Sequence, residues 1–182
     1  MKTAAFKKTE AWTIVFSLIF TLALTPAEAQ QKFKIAGTGE YTMIEGQAFN
    51  ITDAEGHQVR LNKAEGNNLS TGETEWMQNA QAVNISFTDV TRGNGFHQGY
   101  VIIEKDNDRI VSRWEGKMTT KLSADGQPVT TFEGNMWWTD ATGKYENMHG
   151  TATYKGHFTS ESSYKVEWKG EYFKNDDQQT NK

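Results

Sequence analysis

One five-residue pattern recurs four times between Arg109 and Phe173: an aromatic, a charged residue, a glycine, a polar residue and a large apolar residue. The copies are Trp114-Glu115-Gly116-Lys117-Met118, Phe132-Glu133-Gly134-Asn135-Met136, Tyr154-Lys155-Gly156-His157-Phe158 and Trp168-Lys169-Gly170-Glu171-Tyr172. Side chains on a β-strand alternate between faces, so the aromatic, the glycine and the last apolar residue of each copy share one face. The charged and polar residues share the other. Four consecutive strands of this kind present one wet face and one aromatic face with a glycine gap in its middle. A barrel or strongly curved sheet wrapped around an interior has that pattern, because strand coiling needs positions without a Cβ.

The rest of the chain extends the same logic. Phe33, Ile35, Gly37, Gly39, Tyr41 and Met43 alternate with Lys34, Thr38, Glu40 and Thr42, which predicts a long half-buried strand. Phe49–Thr52 and His57–Leu61 predict a hairpin closed by Asp53-Ala54-Glu55-Gly56. The polar stretch from Lys63 to Glu75 reads as the longest loop. Alternation resumes from Ala82 to Val90, with Val83, Ile85 and Phe87 expected to face inward. Tyr100–Lys105 is apolar on both faces, which leaves its parity open. Turn clusters fall at 91–95, 106–108, 124–127 and 140–143, and no stretch from residue 30 onward carries a helical period. The expectation is an all-β chain: a single antiparallel up-and-down β-barrel of about eight strands, with an open two-sheet sandwich as the alternative.

Residues 1–29 stand apart. Lys2, Lys7 and Lys8 precede a 14-residue apolar run from Ala11 to Leu24, followed by Pro26 and the small-x-small triplet Ala27-Glu28-Ala29. This is the arrangement of a secretory signal peptide cleaved before Gln30. The run falls short of the roughly 20 apolar residues of a membrane span, which disfavours an uncleaved anchor. The domain expected is therefore 30–173, with a polar, disordered tail at 174–182. Residues 1–29 hold two of the 23 acidic and three of the 19 basic residues, so the expected mature chain carries a net charge of −5. That balance argues against a nucleic-acid partner. No second apolar segment is long enough to span a bilayer, so no membrane partner is expected after cleavage. The absence of cysteine rules out disulfides, and is ordinary for a bacterial periplasmic protein.

The eight-strand meander, then Gly143-Lys144-Tyr145 and Gly150-Thr151-Ala152-Thr153-Tyr154, resembles the calycin-type barrels of allene oxide cyclases, plant dirigent proteins and their bacterial relatives. The lipocalin Gly-x-Trp is absent; the first strand has Gly37-Thr38-Gly39 instead. The resemblance implies an interior that guides cyclisation or coupling of reactive apolar molecules, or that binds them. None of the family's site residues aligns onto a position here.

The candidate ligand-binding residues are Tyr41, Tyr100, Trp114, Met118, Phe132, Met136, Trp138, Tyr154 and Trp168. They would surround an apolar or aromatic small molecule, with the repeat glycines supplying space. On that reading a leucine at Gly134 would fill the cavity and leave the fold intact. The alternative for the same residues is a filled core. Glu104 is the candidate base if its face turns inward. The histidines at 57, 97, 149 and 157 lack the spacing of a metal site, and no nucleophile elbow, phosphate loop or dinucleotide fingerprint is present, so no metal or cofactor is expected.

Three functions follow: an exported (periplasmic or secreted) binding barrel, a cyclase- or dirigent-like enzyme, or a cell-envelope interaction protein with a filled core. Export itself is checked by N-terminal sequencing of extracytoplasmic protein. The chain should begin at Gln30, and an intact Met1 on exported protein contradicts the signal.

Overall fold

The computed structural model describes residues 31–175. Eight strands follow in order: β1 (Phe33–Asn50), β2 (His57–Ser70), β3 (Ala80–Thr91), β4 (Asn94–Lys105), β5 (Asp108–Leu122), β6 (Pro128–Ala141), β7 (Met148–Phe158) and β8 (Ser163–Lys174). Each pairs antiparallel with the next, and β8 returns to β1 from Phe33↔Tyr172 to Thr42↔Ser163, closing the barrel. The hairpin turn at 51–56 rests on Gly56, whose φ of 75° lies in the left-handed region. Ile44 is skipped in the β1–β2 ladder, a bulge just beyond the point where β1 stops pairing with β8. Residues 1–29 and most of the 174–182 tail lie outside the described residues; Lys174 itself ends β8.

The repeat strands β5–β8 have the predicted parity. Trp114, Phe132, Tyr154 and Trp168 are all buried, and Trp138 is buried while Trp137 lies on the other face. The opposite wall departs from expectation. On β3 the inward residues are Ala80, Ala82, Asn84, Ser86, Thr88 and Val90; Ile85 is 40 % exposed, and Val83 and Phe87 share its outer face. The register carries this apolar outer strip across three strands, with Leu61 beside Phe87 and Ile85 beside Tyr100. Alternation gives a strand's parity only up to a flip, and here the polar set is the inner one. The stretch from Lys63 to Ser70 is also strand, not loop; its glycine and asparagines belong to the ladder with β1 and β3, and the true loop is 71–79.

The repeat glycines do not leave empty space. Gly116 and Gly134 face each other across β5 and β6, and the hydroxyl end of Tyr154 lies over both. A Cβ at Gly134 would collide with the Glu115 carbonyl and the Tyr154 hydroxyl. The rings of Phe132, Trp168 and Trp114 likewise cover Gly156, Gly37 and Gly99. The glycines are therefore sites where rings seat against sharply coiled backbone, and the expectation that a leucine at Gly134 would be tolerated is corrected. Gly134→Ala should lose about 1–3 kcal/mol or more in denaturant unfolding, the range for overpacking. Unchanged stability would contradict this seating.

Candidate functional site

The interior is closed at one end. The 71–79 loop turns Trp76 and Met77 inward, leaving them 1 % and 2 % exposed. The Trp76 ring packs on Trp138, Trp168 and Tyr145, with centroids 5.2, 5.0 and 6.1 Å away. Asn68 on β2 fastens this plug: its Nδ2 donates to the Trp76 and Met77 carbonyls at 3.1 and 3.0 Å. Its Oδ1 accepts from Trp168 Nε1 at 3.1 Å. The amide is fully used, as burial requires.

Asn84 on β3 makes a second brace across the lumen. Its Oδ1 accepts from Trp114 Nε1 of β5 at 2.9 Å, and its Nδ2 donates to the Tyr164 hydroxyl of β8 at 2.7 Å. Tyr164 in turn stacks on Tyr41 of β1, with centroids 5.1 Å apart. Between this plug and the other end, which has no counterpart of Trp76 among the described residues, lies a cavity of about 100 Å³. Tyr41, Met43, Met118, Phe132, Phe158 and Tyr164 form its apolar side, and Asn62, Ser86, Thr88 and His97 its polar side. Met43, Met118 and Phe158 are only half-buried.

The lining includes no carboxylate, lysine or arginine. Its titratable groups are held neutral. Burial pushes His97, 5 % exposed, down to about 4, against a smaller opposing effect from the Glu133 backbone carbonyl. His97 Nε2 meets the Tyr154 hydroxyl at 3.1 Å. Burial raises Tyr154, with the Glu115 charge adding to it, and raises Tyr41, with Tyr164 adding to it. Burial also pushes Tyr164 up to about 12. Such groups serve as hydrogen-bond partners at neutral pH rather than as proton shuttles.

Eight of the nine candidate binding residues stand inside the barrel and line this interior: Tyr41, Trp114, Met118, Phe132, Met136, Trp138, Tyr154 and Trp168. Tyr100 does not. It is 48 % exposed on the outer face of β4, opposite Ile85 and Arg113. Glu104 shares that outer face and meets Arg109 Nε at 3.2 Å, so it cannot act as a base within the cavity. Burial of Val101 and Ile103 fixes this parity. The sequence reading missed His97, the polar wall and Trp76. The wall was visible as a second period-two series, Asn84-x-Ser86-x-Thr88, hidden behind the more hydrophobic one.

His97 sets a pH dependence of known sign. Above the ordinary histidine value, about 6.5, both folded and unfolded chains carry it neutral, and it contributes no pH dependence. Between there and about 4 the unfolded chain takes up the proton and the folded one does not, so stability falls; below that the loss levels off. His97→Gln should remove on the order of 3 kcal/mol of the acid-side loss, measured as the wild-type-minus-variant unfolding free energy at pH 7.5 and pH 4. A difference that does not change with pH would contradict the buried neutral ring.

No protein-family model matches the chain, and no curated protein matches it. The resemblance to allene oxide cyclases and dirigent proteins therefore rests on the strand order and the segments at 143–145 and 150–154.

Proposed function

We propose that the chain is an exported, periplasmic or secreted barrel that binds an apolar or aromatic small molecule in its interior. The observation that carries this reading is the 100 Å³ cavity within a closed barrel, walled on one side by aromatic rings and methionine side chains. A core packed to ordinary density leaves few voids larger than a water. An apolar cavity of about 150 Å³ is enough for benzene, so this one, at about two-thirds of that volume, takes a single ring when the half-buried Met43, Met118 and Phe158 side chains shift. Export rests on residues 1–29 alone. The calycin-type resemblance supports the same use of the interior.

Cyclase- or dirigent-like catalysis is the second reading the resemblance brings. The cavity favours binding over it, because the lining has no carboxylate and its histidine and tyrosines are held neutral. A filled core would leave no space to occupy, and the cavity supports the binding reading over that one too.

The test is an NMR titration of the mature protein with toluene, following the tryptophan indole N–H signals. Trp114, in the cavity wall, should shift saturably, and Met118→Trp, which adds a bulky ring to the cavity side, should weaken binding at least tenfold. The absence of any saturable shift in the wild type would overturn the function.

A further inference from the structure

The polar side of the cavity holds groups whose hydrogen-bonding capacity the fold leaves unused. Asn62 and Ser86 are cross-strand neighbours on β2 and β3, both turned inward and both lining the cavity. Neither side chain has a hydrogen-bond partner among the described residues, and neither is sealed in so tightly as to be an orphaned buried group. Next along β3 is Thr88, 7 % exposed, whose hydroxyl is buried without a partner. The Tyr41 hydroxyl, from the neighbouring strand β1, also has none. Asn68 and Asn84, by contrast, have every amide group engaged.

Buried polar groups in proteins are nearly always paired, with protein, water or ligand. A carboxamide beside a hydroxyl offers both donors and acceptors to a guest. Opposite them, Met118, Phe132 and Phe158 offer only apolar contact. No charged side chain lies in the lining, so a carboxylate or ammonium guest would give up its hydration with no counter-charge inside. Arg60, one inward position above Asn62, is exposed and bonded to Gln58, outside the lining.

We infer that the ligand is an uncharged single-ring molecule carrying a hydroxyl or carbonyl group, with that group seated on Asn62 and Ser86 and its ring against Phe132 and Met118. This rests on the binding function proposed above, and specifies its ligand class.

The inference is tested by comparing three probes of nearly one shape: p-cresol, toluene and p-toluate. Wild-type protein should bind p-cresol at least about fivefold more tightly than toluene, the worth of one net hydrogen bond. It should bind p-toluate most weakly. In Ser86→Ala, and separately in Asn62→Leu, the preference for p-cresol over toluene should shrink to within about twofold. Equal binding of p-cresol and toluene by the wild type overturns the ligand class while leaving the binding function standing. So does a preference that survives both substitutions. Tighter binding of p-toluate, lost in Arg60→Gln, replaces the neutral ligand with an anionic one. No binding of either p-cresol or toluene overturns the binding function, and this inference with it.

Discussion

The interior depends on one carboxamide. Asn84 sits where a hydrophobic barrel would place a valine, and both ends of its amide are bonded across the lumen, to Trp114 of β5 and Tyr164 of β8. Leaving a buried amide unpaired costs far more than the modest net gain of pairing it. The brace therefore acts mainly by exclusion: any slip of β3 against its neighbours strands polar groups in an aromatic interior. Holding Trp114 and Tyr164 fixed also fixes what rests on them. Tyr41 stacks on Tyr164, His97 packs on Trp114, and Phe132 and Phe158 lie edge-on to Tyr164 or tilted against it. The cavity is the volume left beside this fixed set of rings.

A second constraint is the division of the barrel into two unlike halves. Strands β5–β8 bring rings and thioethers inward; β2 and β3 bring amides, hydroxyls and small side chains. Rings need backbone to seat against, and the glycines facing them supply it. The polar half needs partners, and indole N–H and phenol groups from the aromatic half supply some of them. Each half thus completes the other. At the closed end Trp138 is satisfied within the aromatic half itself, its Nε1 donating to the Glu171 carbonyl of β8 at 3.1 Å.

How much of this was legible follows from the same division. Where the inner face was also the more hydrophobic one, as at Trp114-x-Gly116-x-Met118, alternation gave the strand, its parity and its place in the core. The closed eight-strand meander followed from those strands and their turns. On β3 the rule inverted, because Val83, Ile85 and Phe87 outweigh Asn84, Ser86 and Thr88 in hydrophobicity yet face outward. Hydrophobic weight measures transfer from water and has no term for an amide satisfied by an indole 30 residues away. The same blindness turned Asn67 and Asn68 into loop residues and hid the plug, since Trp76 lies between polar neighbours without any period. Tyr100 and Glu104 were open in parity, and only the burial of Val101 and Ile103 decides it.

The seam between β1 and β8 joins residues as far apart as Phe33 and Tyr172. Every other ladder links strands adjacent in sequence and can zip outward from its own turn. The seam has no such turn; its closure brings together the two ends of almost the whole domain, which is the slow kind of contact to form. Until β8 exists, β1 is an open edge and the ring cannot be completed. Synthesis from the N-terminus therefore delivers the sealing strand after its seven partners, and the ring closes only once all eight are present.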